Sequence, residues 1–537
     1  LFIINFVFVS ISNIYKIINK KMLFDFTIIG FGVIGVQTLL GIKKLLIKKK
    51  QNSKDIIRIA IIEKNLKNIP GGVAYSKVNS KFGYFNNPLR LSHPEFIKWF
   101  NLKENKERLT AFSKKNPSYN LNPWIKKNES ILKKKYYDYK EIYLPRFIYS
   151  FYLNDKIIEF LDFKKKLNIS LKLYQGEVKR LKNNIFYDIY PNKSFHEFVI
   201  SYQNKTLKLK KCKHNNLEII KSKKLIIGTG VVPPKIIDEK VINKNSNYIW
   251  DFYSSGGTNN LIKKINVISK IKKTICIIFI GNKAGLLETM QEIEKIIKNN
   301  TVNINIICIS KNTATLQKAE RSKRFNFFKF RYLTKKKINK IKKAEQILNL
   351  LKKEFKSAIL NDFNKYDVWT TVLTNKIMSL CYNQLNAKEK KNYNLSIFPL
   401  IRNITRYTYP DTVSAKNRLE RANKIKFIKD KVLKVVKDKN IIILETQYKK
   451  FLKGDIVINV SGPVSVVDTK DETKFISSLK KITTKFNERG FSTNKNFMLE
   501  EGLFLPGTLS NNFNPGRETI IKAITKNAHK VAKNILV

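Results

Sequence analysis

The first regular pattern in the chain is an apolar run that breaks at a cluster of glycines. The run Phe26–Ile29 is followed by a Gly-x-Gly-x-x-Gly sequence at 30–35 and then by Val36–Leu46, in which apolar residues recur at helical spacing. A second apolar run, Ile56–Ile62, ends at Glu63. Short continuous apolar runs on either side of a helical period are typical of a strand, a tight turn, a helix and a second strand. The pattern therefore predicts a βαβ unit of an α/β fold.

The glycine cluster points to chemistry that a plain turn does not need. In such a turn the first glycine makes the bend, the second lets the backbone approach a pyrophosphate, and the third lets the helix pack closely on the strand. The phosphates lie on N–H groups at the helix N-terminus, and Glu63 is placed to accept hydrogen bonds from an adenosine ribose. The alternative is a glycine-rich turn that binds no ligand. The first predicted dinucleotide site comprises Gly30, Phe31, Gly32, Ile34, Gly35, Glu63 and Lys64.

Between this unit and residue 230, the pattern predicts an irregular stretch, one helix and a group of strands. Residues 65–140 are predicted to be irregular, and Pro145 opens an amphipathic helix that reaches about Lys166. Four short alternating runs predict a small antiparallel meander. These runs are 171–182, 197–202, 206–211 and 217–221. The buried strand that follows leads into a backbone crossover, which we expect to pass near a bound cofactor. The crossover residues are Gly228, Thr229 and Gly230.

A second apolar run, Thr274–Ile280, also enters a glycine-containing turn and a helix. Lys283 stands where the second glycine is expected, so the turn is either a degenerate nucleotide loop or a structural βαβ turn that binds nothing. The partner strand, Val302–Ser310, ends at the hydroxyl of Ser310 and is followed by the cation of Lys311. An acidic residue at this place would select NAD. Both groups suit the 2′-phosphate of NADP. The second predicted site comprises Gly281, Asn282, Gly285, Ser310 and Lys311.

The rest of the chain predicts a helical insert and a return to sheet structure. Residues 335–424 have a helical, polar-faced pattern typical of an insert or lid, and a last helix begins near Arg517. The predicted fold class is α/β, with two Rossmann-like dinucleotide-binding domains, a small antiparallel meander and a helical insert. The first domain is expected to be discontinuous, and residues 1–21 are expected to be a leader or a mis-called extension. The predicted ranges are 22–245 with 455–537 for the first domain and 246–454 for the second.

Charge and length change this picture little. The 537 residues fit two or three domains, and 104 Lys and Arg against 41 Asp and Glu give a formal charge of +63. Such a charge ordinarily indicates nucleic acid as a partner. Here the lysines are dispersed from end to end, together with abundant Asn, Ile, Phe and Tyr, as an AT-rich genome would produce. We therefore predict no specific nucleic-acid partner, only salt-sensitive adhesion.

Several functional classes lack the residues they need. The four cysteines form no Cys-x-x-Cys pair, and none of the four histidines has metal-ligand spacing, so no metal site is predicted. No Gly-x-Ser-x-Gly elbow is present, which argues against a serine hydrolase of that type. The apolar run Leu1–Ile11 is too short to span a bilayer. We expect a cytoplasmic protein that has no membrane partner.

Several segments together resemble a group of flavoproteins with two dinucleotide sites. That group includes the FAD-dependent urate hydroxylase and the aspartate N-oxidising, nitrosuccinate-forming monooxygenase. The resemblance covers nearly the whole chain from residue 22, with two departures: Ser150 replaces a common glycine, and the loop 281–286 lacks its middle glycine. The segments that carry the resemblance are 30–35, 72–76, 84–88, 145–149, 226–234, 366–369, 402–418 and 455–463.

The resemblance implies that FAD binds in the first domain and NADPH in the second, with NADH as a possible substitute. Reduced flavin would react with O₂ to a C4a-hydroperoxide, which would oxygenate a small nitrogen-containing metabolite. Because the flavin carries this chemistry, the absence of a recognisable catalytic constellation agrees with an enzyme, and no catalytic residue is predicted. Gly72, Asn86 and Arg146 become candidate cofactor contacts near the flavin ring and phosphates, with ordinary loop hydrogen bonding as the alternative for Asn86 and Arg146.

Two other functions remain open from the sequence. A flavin reductase or oxidase that does not oxygenate a substrate would share every one of these motifs. A basic nucleic-acid-binding protein would need clustered arginines and aromatic residues, which the sequence does not show. The sequence identifies neither the substrate nor the oligomeric state.

Overall fold

The structure, a computed structural model, describes most of the chain between residues 23 and 536. The described residues are 23–48, 56–134, 140–164, 168–183, 187–201, 206–211, 219–230, 234, 237, 247–299, 302–311, 315–438, 441–462, 474–487, 490–511 and 520–536. The predicted leader at 1–21 and the predicted start of the last helix near Arg517 lie outside these ranges.

The described part of the chain contains twenty strands and seventeen α-helices. The strands are β1 (Leu23–Ile29), β2 (Ile57–Glu63), β3 (Ile169–Asn183), β4 (Tyr187–Ser201), β5 (Thr206–Lys211), β6 (Ile220–Ile227), β7 (Tyr248–Ile249), β8 (Thr274–Ile280), β9 (Asn303–Ser310), β10 (Gln317–Lys318), β11 (Tyr407–Thr408), β12 (Ile425–Lys429), β13 (Val432–Asp438), β14 (Ile441–Thr446), β15 (Phe451–Gly454), β16 (Ile456–Asn459), β17 (Phe486–Asn487), β18 (Gly490–Phe491), β19 (Met498–Glu500) and β20 (Leu503–Phe504). The helices are α1 (Val33–Lys48), α2 (Gly72–Tyr75), α3 (Pro94–Asn101), α4 (Lys103–Lys115), α5 (Leu121–Leu132), α6 (Ile148–Lys164), α7 (Gly257–Ile268), α8 (Ala284–Lys298), α9 (Lys335–Ile338), α10 (Ala344–Leu360), α11 (Lys365–Thr374), α12 (Ile377–Asn383), α13 (Ala387–Asn392), α14 (Phe398–Ile404), α15 (Pro410–Arg421), α16 (Lys474–Ile482) and α17 (Ile520–Ile535).

The first sheet has eight strands in the order β19-β20-β6-β1-β2-β3-β4-β5. β1 pairs in parallel with β2 and β6, and β2 pairs in parallel with β3. One face packs on α1 and α17 through a core that includes Ile28 and Ile61, while the other packs on α16 through Ile29 and Ile62. Burial of both faces accounts for the continuous apolar runs of the parallel strands. The predicted first Rossmann-like fold is confirmed.

The predicted antiparallel meander is present, but it is continuous with this sheet. β3 pairs in parallel with β2 over its first half and then forms a long hairpin with β4, to which β5 is added. Of the run at 217–221, predicted as a separate strand, residues 220 and 221 belong to β6, whose Ile220 pairs with Ile189, and residues 217 and 218 lie outside the described ranges. Alternation of apolar and polar residues shows that one face of a strand is exposed, but it does not show where the strand ends. The prediction therefore divided one continuous strand into two.

The described part of 65–140 contains three helices of eight or more residues, so the prediction of an irregular stretch is wrong. α3 begins with Pro94 in its first turn and buries Phe96, Trp99 and Phe100. α4 is strongly polar, and Leu109 is its one buried apolar residue. A helix with so few apolar positions leaves little periodic signal in the sequence.

The second sheet is formed by five parallel strands in the order β12-β9-β8-β16-β7. α7, α8 and α15 cover one face through a core that includes Ile277 and Phe279. The antiparallel sheet of β13, β14 and β15 covers the other face through residues such as Ile278 and Leu444. The predicted second Rossmann-like fold is confirmed.

One strand lies on the other side of the predicted domain boundary. The boundary at residue 455 assigns β16 to the first domain, whereas β16 pairs with β7 and β8 in the second sheet. The chain returns to the second sheet after β15, and nothing in a four-residue apolar strand shows which sheet it will join. Apart from this strand, the division into two domains stays a prediction.

The region 335–424 is mainly helical, as predicted, and it packs on both folds. Phe355, Val368 and Ile401 of helices α10, α11 and α14 belong to the same buried cluster as α1 and α6 of the first fold. α15 packs instead on the second sheet. β11 interrupts the helices and pairs in parallel with β10. The insert, predicted as part of the second domain, therefore also forms part of the core of the first.

Two classes of feature are absent from the described residues. None of their helices combines the length and the apolar character that crossing a membrane requires. Within the same residues, no three His, Cys, Asp or Glu side chains come together as a metal site would need. Three of the cysteines fall within the described ranges, and none of them forms a disulfide; they are Cys276, Cys308 and Cys381.

The last helix packs on the first one at a glycine. A Cβ at Gly41 of α1 would lie 2.7 Å from the Cβ of Ala532 and 3.2 Å from the Cα of His529 in α17. The side chain of His529 is therefore held close to α1, and its Nε2 is buried without a hydrogen-bond partner among the described residues. Burial and the charge of Lys44 lower the pKa of His529 to about 4.

We expect this histidine to make the stability of the fold depend on pH. Its ordinary pKa is about 6.5, so between pH 6.5 and 4 the unfolded chain binds a proton that the folded protein does not. The free energy of unfolding should therefore fall as the pH decreases through this window, by on the order of 1–3 kcal/mol. Thermal unfolding of the native protein and a His529→Met variant at pH 7 and pH 5 measures the effect. An equal loss of stability in both proteins would contradict the assignment.

Candidate dinucleotide sites

The carboxyl ends of β1 and β6 meet at the first glycine loop. β1 is the strand at which the strand order reverses, and open parallel sheets bind ligands at such a point. Gly30 has a φ of 89°, its N–H donates to the Ile62 carbonyl at 2.8 Å, and a Cβ there would lie 2.9 Å from the Gly228 carbonyl oxygen. Only glycine fits between these strand ends. The structure therefore brings Gly30 and Gly228 to one crevice.

Two further glycines of the loop make close contacts. A Cβ at Gly35 would lie 2.3 Å from the Gly30 carbonyl oxygen, so α1 packs closer to β1 than alanine would permit. Gly32 forms an isolated bridge with Gly71, and a Cβ at Gly32 would lie 3.3 Å from the Cα of Gly72. Gly72 is thus held beside the loop by backbone contact.

Glu63 lies at the end of β2, where its carboxylate accepts hydrogen bonds from the loop. Oε2 accepts from the Phe31 N–H at 2.8 Å, and Oε1 accepts from the Asn65 N–H at 3.0 Å. Burial raises the pKa of the Glu63 carboxyl, although these N–H groups oppose the rise. Each carboxylate oxygen has a second lone pair, so a ribose hydroxyl could also donate to it. The neighbouring Lys64 is exposed, and its Nζ lies 2.8 Å from the carboxylate of Glu177.

The crossover after β6 leaves open space at its last glycine. A Cβ at Gly228 would lie 3.1 Å from Ile34 Cγ2, whereas a Cβ at Gly230 would have no heavy atom of the described residues within 4 Å beyond its chain neighbours. The Thr508 hydroxyl donates to the Gly230 carbonyl at 3.0 Å. Neither packing nor a left-handed φ requires glycine at 230. This space beside Thr229 suits a bound ligand.

The second sheet repeats this arrangement at the carboxyl ends of β8 and β16. β8 is the strand at which the strand order reverses. Gly281 has a φ of 107°, and its N–H donates to the Ile309 carbonyl at 2.8 Å. A Cβ at Gly281 would lie 2.7 Å from the Val460 carbonyl oxygen and 2.8 Å from the Ser461 nitrogen. A Cβ at Gly285 would lie 2.6 Å from Val460 Cγ1. Both loops therefore place glycines where two strand ends leave no room for a side chain.

The end of β16 and the residues after it belong to this crevice, although none of them was predicted as a site residue. Asn459 is buried, and its Oδ1 accepts hydrogen bonds from the Ser461 N–H at 3.1 Å and the Ser461 hydroxyl at 2.7 Å. The sequence signal for these residues was an apolar strand that ends in Ser461-Gly462-Pro. The strand that leads to Gly228 has a similar pattern, an apolar run followed by glycine and proline.

The other predicted residues of the second site lie along the same edge of the sheet. Asn282 is a buried residue of the loop, and Ser310 ends β9 beside the loop. Lys311 is exposed. Asp430 follows the neighbouring strand, and its N–H donates to the Ser310 carbonyl at 3.1 Å, while its Oδ1 accepts from the Lys431 N–H at 2.7 Å. An acidic residue is therefore present on the adjacent strand, where it takes part in a local turn.

Asn86 lies at the contact between the first fold and the insert. Its Oδ1 accepts a hydrogen bond from the Thr408 hydroxyl at 3.2 Å. Next to it, the rings of Tyr84 and Tyr409 stack with centroids 4.0 Å apart. The described contacts of Asn86 are thus with the insert, which is the loop hydrogen bonding named as its alternative role. A contact with a cofactor stays a prediction.

Arg146 joins the two folds through a buried ion pair. Its Nη2 lies 2.5 Å from Glu288 Oε1 in α8, and both side chains are only 13% exposed. Nε and Nη2 also donate to the Tyr84 carbonyl at 3.2 and 3.0 Å. Burial opposes the charge of Arg146, but Glu288 and then Tyr253 raise the pKa of the guanidinium above its ordinary value. The guanidinium predicted to contact the cofactor is therefore paired with a carboxylate that the sequence analysis did not single out.

Comparison with known proteins gives distant likenesses only. No protein-family model matches the chain, and no curated protein matches it. Among solved structures, the ornithine hydroxylase PvdA from Pseudomonas aeruginosa is 10% identical with a TM-score of 0.48, over 96% of this chain and 99% of that one. The L-lysine 6-monooxygenase from Pseudomonas syringae is 9% identical with a TM-score of 0.49, over 95% and 99%. DfoA, a cadaverine monooxygenase from Erwinia amylovora solved with FAD, is 9% identical with a TM-score of 0.47, over 96% and 94%. At such identities the likeness does not assign the chain to a family.

Proposed function

We propose that this protein is an FAD- and NADPH-dependent oxidoreductase, and more narrowly a monooxygenase that acts on a small nitrogen-containing metabolite. The observation that carries the proposal is the repeated crevice. Each of the two sheets has its point of strand reversal at a glycine loop between parallel strands, where Gly30 faces Gly228 and Gly281 faces Val460. Two such crevices in one chain suit two dinucleotides.

The residues of the first crevice fit FAD. Gly32 and the N-terminus of α1 would receive the pyrophosphate, Glu63 would accept from the ribose, and the open space at Gly230 would admit the cofactor. When bound, the flavin would supply electron transfer from NADPH and the reaction with O₂.

The rest of the mechanism concerns what the chain itself holds in position. The Arg146–Glu288 pair joins the first fold to α8, the helix that follows the second glycine loop. The insert packs beside Asn86, where it would shield a substrate near the flavin from water. Oxygenation, as opposed to simple oxidase activity, depends on such shielding.

The purified protein tests the proposal directly. A yellow protein that releases FAD on denaturation and oxidises NADPH would support the oxidoreductase assignment. Hydrogen peroxide release measured against NADPH consumption separates an oxidase from a monooxygenase, because oxygen transfer lowers the peroxide yield once a substrate is added. A colourless protein that does not take up FAD would contradict the proposal.

We expect NADPH to be preferred over NADH because Ser310 and Lys311 suit a 2′-phosphate. A Lys311→Glu variant places a negative charge near that phosphate and should lower the ratio of kcat/KM for NADPH to that for NADH by about tenfold, or roughly 1.4 kcal/mol. Lys329→Glu, at another exposed lysine, is the control for general charge. A native preference for NADH, or equal ratios in the native protein and the Lys311 variant, would contradict the assignment.

A further inference from the structure

The antiparallel sheet of β13, β14 and β15 has one buried face and one outer face. Val435 and Leu444 belong to its buried face and pack on the second sheet. Successive side chains of a strand alternate between the two faces, so the residues on either side of these belong to the outer face. The register aligns Lys434 with Glu445 and Glu445 with Phe451 across the three strands. The outer-face residues are Lys434, Val436, Ile443, Glu445, Phe451 and Lys453.

Three large apolar side chains are exposed at the end of this sheet, around the turn between β14 and β15. The exposed fraction is 68% for Tyr448, 66% for Phe451 and 48% for Leu433. Leu433 belongs to the neighbouring strand β13, and the Lys431 carbonyl just before that strand accepts from the Gln447 N–H in the turn at 2.8 Å. All three side chains therefore lie at the same end of the sheet. Exposed apolar side chains that are grouped in this way typically mark an interaction surface.

The same end of the sheet is rich in lysine. We define the hairpin tip as residues 431–434 and 446–451, which include no acidic residue; Glu445 lies next to the tip. Lys449 has a φ of 53°, so the turn has a cation at a position where glycine would be favoured. The hairpin tip thus combines three exposed apolar side chains with four exposed lysines. These lysines are Lys431, Lys434, Lys449 and Lys450.

Three kinds of partner could cover the hairpin tip, and its composition favours one of them. A second copy of this chain would bring the same lysines together, and like charges repel each other. Single-stranded nucleic acid is bound by aromatic side chains and arginine, whereas the tip includes the aliphatic Leu433 and no arginine. The surface of an anionic membrane suits both parts of the tip. Its lipid headgroups attract lysines, and apolar side chains enter the boundary of its acyl chains.

We propose that the hairpin tip binds the surface of an anionic membrane. Tyr448, Phe451 and Leu433 would enter the boundary between headgroups and acyl chains, while the four lysines remain among the headgroup phosphates. The protein would lie on the bilayer without spanning it. The sequence analysis expected no membrane partner, and the tip is assembled from two segments that form no long apolar run. The inference is independent of the proposed function, since no cofactor takes part in it.

Co-sedimentation with lipid vesicles at near-physiological salt tests this inference. We expect the native protein to bind vesicles of equal parts phosphatidylglycerol and phosphatidylcholine, and not to bind vesicles of phosphatidylcholine alone. Tyr448→Ser/Phe451→Ser keeps every charge and should weaken binding by about tenfold or more. Lys449→Gln/Lys450→Gln should weaken it similarly, because each cation near an anionic surface contributes about fivefold.

Another exposed apolar residue with lysine neighbours supplies matched controls. Ile271 follows α7, is 83% exposed and stands between Lys270 and Lys272. Ile271→Ser and Lys270→Gln/Lys273→Gln remove similar groups elsewhere on the surface, and both should bind the vesicles as the native protein does. All of these variants should keep the native melting temperature, because the side chains that they change are exposed.

A fluorescence measurement reports whether the hairpin tip enters the lipid. Relative to the native protein, the added fluorescence of Phe451→Trp should be quenched by phospholipids with brominated acyl chains, whereas that of Ile271→Trp should not. Equal quenching of both, or none at position 451, would contradict the inference.

Three vesicle results would also overturn the inference. The first is a native protein that does not bind the anionic vesicles. The second is an equal loss in the control variants, which would show general attraction to a chain of charge +63. The third is normal vesicle binding by Tyr448→Ser/Phe451→Ser. If that variant instead loses self-association, the tip binds a second copy of the chain, and if it loses binding to a single-stranded oligonucleotide, the tip binds nucleic acid.

Discussion

The substitution Gly230→Val is expected to lower the retention of FAD at least tenfold without loss of the fold. In the part of the chain that the structure describes, a Cβ at this position meets no atom within 4 Å beyond the chain neighbours, and the residue does not have a left-handed φ. The substitution therefore costs little in the protein itself. If the cofactor fills the space, the added side chain overlaps it, and occupancy should fall by at least tenfold, or about 1.4 kcal/mol in binding free energy.

The measurement compares the flavin content and the melting temperature of the purified variant with those of the native protein. Gly35→Ala is the matched contrast, because its Cβ would lie 2.3 Å from the Gly30 carbonyl oxygen and should disrupt the fold and the cofactor site together. Full flavin occupancy in Gly230→Val would show that the first crevice does not hold the cofactor at this point.

Breaking the ion pair between the folds is expected to have the largest effect on stability. Arg146 and Glu288 are both 13% exposed, so removing one partner leaves the other charge buried and unpaired. Arg146→Met or Glu288→Met alone should destabilise the protein by about 3–5 kcal/mol. The double variant should be more stable than the sum of the single losses predicts, because it buries no unpaired charge.

Chemical denaturation of the two single variants and the double variant forms a double-mutant cycle for this pair. Glu107→Gln is the control, since it removes an exposed i,i+4 pair with Lys103, whose side chains are 89% and 64% exposed, and should change stability very little. Additive losses at positions 146 and 288 would mean that the two residues do not interact in solution.

Local sequence patterns predicted the parts of the fold that depend on neighbouring residues. Gly30 and Gly281 follow apolar strands and precede helical periods, and the structure has a strand, a tight turn and a helix at both places. A turn that needs a positive φ at a strand end leaves a glycine in the sequence, so such units can be read locally. The two Rossmann-like folds followed from these units.

Long-range contacts could not be predicted in this way. Arg146 and Glu288 are 142 residues apart, and neither sequence neighbourhood indicates a buried ion pair. The contact of Val460 with Gly281 depends on β16 joining the second sheet, which its apolar sequence does not specify. Helices such as α4, with one buried apolar residue, also left too weak a period to be recognised.

The most direct test of the central claim is anaerobic mixing of the purified protein with NADPH, followed through the flavin absorbance. If the two crevices hold FAD and NADPH and pass electrons between them, the flavin band should bleach, and admitting O₂ should restore it. A protein whose bound FAD is reduced by dithionite but not by NADPH or NADH would contradict the claim that the two sites work together.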